Sequence, residues 1–198
     1  MSQRKDAGRP GRAAARVGFA AGVLVLAWLA ITSAHSDDRF PYQARAGVDL
    51  AAAAAQVWSS DAALVYIEND EHVDDDGSAQ RWGYLFYSAS LKKSRAYSIR
   101  SGKILVAEDL DMKFEAPAIN SGWIDSGVAL GASEQAAGRS FREQHHGTLA
   151  GMLLSRGAFS AEDPDETTWT CIYSSPDAPS LFVLIEAASG KVRRTWRG

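Results

Sequence analysis

The sequence predicts an α+β protein: one N-terminal transmembrane helix, then two repeated units, each a helix laid on an antiparallel sheet. Three observations carry this reading. Residues 17–34 form an uncharged run of eighteen, and the rest of the chain repeats itself at an offset of 87–88 residues. Each repeat also opens in an alanine-rich stretch and closes in strand-like runs that end at Ser-Gly-Lys. The implied layout is a basic tail over 1–16, a membrane segment over 17–34 and a linker over 35–46. A first unit follows over 47–115 and a second over 116–198.

The 198 residues are 46% hydrophobic and 23% charged, which excludes a wholly disordered, collagen-like or multi-span chain. A single cysteine excludes a disulfide framework and a cysteine-rich zinc site. The formal net charge of −3 conceals an asymmetry. Arg4, Lys5, Arg9, Arg12 and Arg16 against Asp6 give residues 1–16 a charge of +4, leaving −7 for residues 17–198.

The run VGFAAGVLVLAWLAITSA, with Val17, Leu24, Leu26, Trp28 and Ile31 as its anchoring side chains, spans roughly 27 Å as a helix. That is just short of a bilayer core of about 30 Å. The positive-inside rule keeps the basic tail in the cytoplasm and sends residues 35–198 across the bacterial inner membrane into the periplasm. A signal peptide cleaved after Ala34 fits the same pattern; the long basic segment and the deep Trp28 favour an uncleaved anchor. No cysteine follows the run, which excludes a lipoprotein anchor. Residues 1–12, rich in Gly, Arg and Pro, read as a disordered topology signal, with a binding tail for anionic lipid or a cytosolic partner as the alternative.

In the repeated part, WGYLFYS from Trp82 matches WTCIYSS from Trp169, and YSIRSGKIL from Tyr97 matches LIEAASGKV from Leu184. Ser-Gly-Lys follows Trp82 by 19 residues and Trp169 by 20, its glycine closing a tight turn between strands. Upstream, AALVYIE (62–68) matches LAGMLLS (149–155), and helices are expected at Val48–Trp58 and Glu134–His145. Ser133 reads as the N-cap of the second helix and His145-His146-Gly147 as its end, while Asp49 sits near the start of the first. Units of about 80 residues are small for independent cores, so the two are expected to stabilise each other.

A helix on an antiparallel sheet with a closing Ser-Gly-Lys strand resembles the PepSY and cystatin-like superfamily. The second unit carries the resemblance furthest, in Trp123-Ile124-Asp125-Ser126, Ala129, Ala136, Phe141-Arg142-Glu143, Trp169 and Ser189-Gly190-Lys191. The first unit lacks the W-x-D-S lead-in. The resemblance implies an extracytoplasmic domain that binds proteins or inhibits peptidases, and it brings no catalytic residue.

The strands are apolar on both faces. Trp82, Tyr84 and Phe86 oppose Leu85 and Tyr87, while Leu181, Val183 and Ile185 oppose Phe182 and Leu184. A sheet with one helix layer should alternate apolar and polar residues. Packing between the two units is expected to cover the second face; a docking surface for another subunit is the alternative.

Acidic residues gather in two hairpin loops: Glu68, Asp70, Glu71, Asp74, Asp75 and Asp76 in the first, Glu162, Asp163, Asp165 and Glu166 in the second. Calcium would suit such carboxylates, but the EF-hand spacing fails. With Gly77 as its glycine, His72 falls at the first ligand position and Gly83 at the last. Solvated loops are expected, and a basic partner is the next reading, with Asp74, Asp75 and Asp76 as its contacts. At the other end Arg193, Arg194 and Trp196 form a candidate partner-binding group for anionic headgroups or an acidic subunit. The solvated end of a last strand is the plainer reading there.

No catalytic, metal or cofactor pattern accompanies these features. Adjacent His145 and His146 point about 100° apart on a helix, Cys171 lies on a strand face between Trp169 and Tyr173, and no nucleotide-binding or nucleophile motif occurs. Asp109 and Asp111 share a strand face without apolar surroundings. The acidic body disfavours nucleic acid. No cofactor and no small-molecule substrate are expected. The sequence therefore points to a non-enzymatic, membrane-anchored accessory subunit, held by lipid through its N-terminal helix and bound to other protein subunits. Its tandem domains would stabilise a larger inner-membrane assembly, for instance an electron-transfer, photosynthetic or secretion complex. The alternative, from the resemblance, is a regulator or inhibitor of a periplasmic peptidase or cell-wall enzyme.

Overall fold

The computed structural model describes residues 40–110, 116–159 and 163–198. The anchor residues Val17, Leu24, Leu26, Trp28 and Ile31 lie outside them, as do Asp111 and Glu162. A 3-10 turn (Ala44–Gly47) leads into α1 (Val48–Trp58), followed by β1 (Ala63–Asn69), β2 (Arg81–Ser88), β3 (Lys93–Arg100) and β4 (Lys103–Leu110). The second half has α2 (Ser126–Ser133), a π-helical turn (Glu134–Gly138) and α3 (Arg139–His145). Then come β5 (Thr148–Arg156), β6 (Thr167–Ser174), β7 (Leu181–Glu186) and β8 (Val192–Arg197).

The fold class read from the sequence needs correction. In place of two units with separate sheets, all eight strands form one antiparallel sheet in the order β4-β3-β2-β1-β5-β6-β7-β8. Its centre is the β1–β5 pairing, Tyr66 with Ser155, Ile67 with Leu154 and Glu68 with Leu153. The physical reason lies in β1. A four-stranded sheet would leave one of its edges as a row of unpaired backbone groups beside the apolar Ile67, and joining edges removes that liability. The helix expected over 17–34 lies outside the described residues, and among those no helix is long and apolar enough to cross a membrane.

Side-by-side joining puts both helical elements on one face over a shared core. Trp82, Tyr84 and Phe86 from β2 and Trp169, Cys171 and Tyr173 from β6 belong to a single buried cluster with Ala51, Ala55, Ala129 and Phe141. The two tryptophans meet edge to face, centroids 6.3 Å apart. Each donates its indole N–H to the backbone just ahead of a helix, Trp82 to Tyr42 O and Trp169 to Ile124 O, both at 2.8 Å. Fully buried Ala51 and Ala55 bring α1 close to the sheet.

The W-x-D-S residues join the halves. Asp125 Oδ1 accepts the N–H of Ser126 at 2.8 Å, capping α2, and the N–H of Arg45 at 3.0 Å. Ser126 Oγ accepts the N–H of Ala44 and donates to Gly77 O. The Arg45 guanidinium lies 4.0 Å above the Trp123 ring. Ser133 is therefore no N-cap. It sits inside a continuous helical stretch, buried, with its hydroxyl 2.9 Å from Tyr173 Oη. The chain leaves α3 through His146 in the left-handed region, φ 50°.

Candidate interaction face

The sheet face opposite the helices carries the side chains that the helix-facing pattern leaves over. Strand registers align Leu85 with Tyr66, Leu153 with Thr170, Thr170 with Leu184, and Ile172 with Phe182 across neighbouring strands. Phe182 in turn pairs with Trp196, ring on ring at 5.0 Å and 10°. Leu153 and Leu184 are buried within this band; Tyr66, Leu85, Ile172, Phe182 and Trp196 are half-buried. Phe159, from the β5–β6 loop, lies 5.9 Å from Trp196, and the Arg194 guanidinium is 4.4 Å from the same ring. The expectation that the two units cover each other's second face fails, because they meet at strand edges. Among the described residues no helix lies on this side.

One end of the face is polar. Glu68 pairs in register with Gly83, and the carboxylate of Asp70 lies over the same glycine, where a Cβ would come within 2.7 Å of it. Ser98 donates to Asp70, Arg100 pairs with Glu71, and Arg81 Nε is 3.7 Å from Asp70 and 3.5 Å from Glu71. Tyr66 donates to Glu68 Oε2 at 2.9 Å. Burial, reinforced by the charge of Asp70, pushes the Glu68 carboxyl up to about 7 against the hydrogen bond from Tyr66. Burial also raises Asp70, opposed by Ser98 and Arg81. Glu68 and Asp70 thus leave the solvated loop expected for them and form part of the sheet's polar end. Their neighbours along the chain, His72 to Asp76, carry the charge run that conceals them.

The remaining predicted residues fall in two separate places. Asp74, Asp75 and Asp76 are exposed in the β1–β2 loop, which is pinned by buried Val73, Gly77, Ser78 and Ala79. That loop docks on the second half, where Arg142 bridges Asp75 at 3.0 Å and Glu134 at 2.9 Å. Asp76 Oδ1 accepts the N–H of Ser78. Arg193, Arg194 and Trp196 lie on the outermost strand β8, which is paired with β7 rather than frayed, Arg193 standing at an irregularity between the Arg194 and Val192 pairs. Arg193 contacts Glu166 at 2.6 Å and Glu186 at 3.0 Å, at the rim of a cavity of about 280 Å³ lined also by Asn120, Trp123 and Asp163. The acidic loop and the basic strand do not form one site.

Cys171, His145 and Asp109 are accounted for by the packing around them. Cys171 is fully buried and its thiol is pushed up to about 12 by that burial. His145 packs against Phe141 with centroids 5.3 Å apart, and Asp109 pairs with Arg95 at 3.0 Å. Among the described residues no three His, Cys, Asp or Glu side chains converge as metal ligands.

No known family profile and no curated protein sequence matches the chain. Among solved structures, a predicted lipoprotein from Clostridium difficile 630 superposes with a TM-score of 0.51 at 11% identity, over 81% of this chain and 97% of that one. The likeness is one of fold: the whole of that protein corresponds to most of this one.

Proposed function

We propose that this chain is a non-enzymatic accessory subunit, anchored in a bacterial cytoplasmic membrane through residues 17–34, whose folded part binds a larger membrane protein complex from the extracytoplasmic side. The observation that carries the reading is the apolar band from Leu85 and Tyr66 to Phe182 and Trp196, on the sheet face opposite the helices. Its half-buried members, Tyr66, Leu85, Ile172, Phe182 and Trp196, leave apolar groups partly open to solvent, and clusters of such groups mark interaction sites more often than they decorate a solitary domain. Aromatic residues flanked by arginine, as Trp196 is by Arg194, are the side chains that dominate binding energy at interfaces. The fold-level neighbour, described as a lipoprotein, supports a tethered domain of this shape; here an apolar segment would replace its lipid.

Photo-crosslinking residues placed at Phe182 and Leu85 in the full chain, in native membranes, test the idea. Both positions should give the same adduct, and a probe at exposed Ala136 on the helix side should not. A chain that stays an uncrosslinked monomer from both sheet positions would refute the proposal.

A further inference from the structure

The two halves differ in what they show to the outside. Six large apolar side chains are exposed among the described residues, and five of them, Phe40, Leu50, Val57, Leu91 and Leu105, belong to the first half. Phe40 and Val57 are 91% and 90% exposed. Leu50 and Val57 stand seven apart on one stripe of α1, whose only charge is Asp49. The exposed side of the second helical element carries one such residue, Val128, together with Arg139 and Glu143. The β2–β3 turn, with exposed Leu91, Lys92 and Lys93, is tied to the C-terminal end of α1. Asp61 makes that tie, accepting from Ser59 Oγ and Ser88 Oγ at 2.6 Å and from the N–H of Ser90 at 2.7 Å.

The chain's path explains why the first half should differ. Seven residues separate Ala34, the end of the uncharged run, from Tyr42, whose backbone is bonded to Ala79 at 3.0 Å in both directions. Fully extended, that linker reaches about 28 Å, which bounds how far Tyr42 and the start of the first half can lie from the end of the run. The 3-10 turn and the start of α1, which follow Tyr42 directly, are therefore held within that distance of any membrane holding residues 17–34.

We infer that the outward side of α1, with Phe40 and the β2–β3 turn, rests on the surface of that bilayer. Leu50, Val57 and Leu91 enter the interfacial zone, and Lys92 and Lys93 meet anionic headgroups. The inference rests on the proposed anchor. It also turns the opposite sheet face away from the lipid.

The full-length chain in phosphatidylcholine–phosphatidylglycerol vesicles, with a bimane label on Leu24→Cys, Val57→Cys or Val128→Cys, tests it against brominated lipids. The unmodified chain, whose Cys171 is fully buried, is the labelling control. Labels at 24 and 57 should lose fluorescence while the label at 128 keeps it. Quenching at 24 with 57 behaving like 128 would overturn the docking and leave the anchor standing. No quenching at 24 would overturn both. Lys92→Gln with Lys93→Gln should weaken quenching at 57 but not at 24; unchanged quenching would remove the lysines from the contact.

Discussion

Ser126 Oγ accepts the backbone N–H of Ala44 at 3.1 Å, across 82 residues of chain, and donates to Gly77 O at 2.7 Å. One fully buried hydroxyl thus holds the start of the first helical element and the end of the acidic loop against the start of α2. Ser126→Ala leaves a buried N–H and a buried carbonyl without their partner, which should cost about 1–3 kcal/mol. Thermal unfolding of the solubilised chain, followed by tryptophan fluorescence, would show it. An unchanged midpoint would mean that the junction is held by Asp125 alone.

This junction marks the boundary between what is legible in the sequence and what is not. Helix α1 can be read directly, because Ala51, Ala55 and their neighbours follow helical spacing and the pattern is purely local. Ser133-Glu134 imitates a helix start, yet the helix begins at Ser126, capped by Asp125, and a π-helical turn absorbs Glu134–Gly138. The β1–β5 pairing joins residues far apart in the chain, and nothing in either segment names its partner edge. The apolar half of the interaction face is visible in the alternation of Phe182 and Leu184 against Val183. Its polar half is not, because the burial of Glu68 and Asp70 depends on Gly83 and Ser98 in neighbouring strands.

The repeated tryptophans make a second test of the joined sheet. Trp82 and Trp169 belong to different halves and meet edge to face at 6.3 Å, an arrangement worth about 0.5–1.5 kcal/mol beyond burial. Trp82→Leu and Trp169→Leu should each destabilise the chain strongly, and the double variant should lose less than the two effects added. Strict additivity in the thermal-unfolding cycle would contradict a shared core.

Gly77 and Gly102 separate backbone conformation from close approach. Both have positive φ, 80° and 70°, but a Cβ on Gly77 would lie 2.5 Å from Gly127 Cα while one on Gly102 meets nothing within 4 Å. Gly102→Ala should cost only the left-handed backbone penalty of about 1–2 kcal/mol. Gly77→Ala should cost more, because the loop must lift off α2, and it should also expose the loop to protease. Equal losses for the two variants would show that the loop is not packed against the second half.

Glu68 gives the fold a pH dependence of definite sign. Burial is the largest cause holding its carboxyl at about 7 in the folded chain, against an ordinary 4.5. Between those values the folded state keeps a proton that the unfolded state has released. The contribution of the protonated form is complete below about pH 4.5 and is lost as the pH rises through 7. Glu68→Gln keeps an oxygen for the Tyr66 hydroxyl and removes the charge. Near pH 4 the variant and the parent should unfold alike. Toward pH 8 the variant should gain on the parent by on the order of 1–3 kcal/mol. Denaturation midpoints measured in parallel from pH 4 to 8 would read the divergence. A difference that stays constant with pH, or that closes as the pH rises, would show that Glu68 is ionised and paired rather than buried and protonated at the polar end of the sheet.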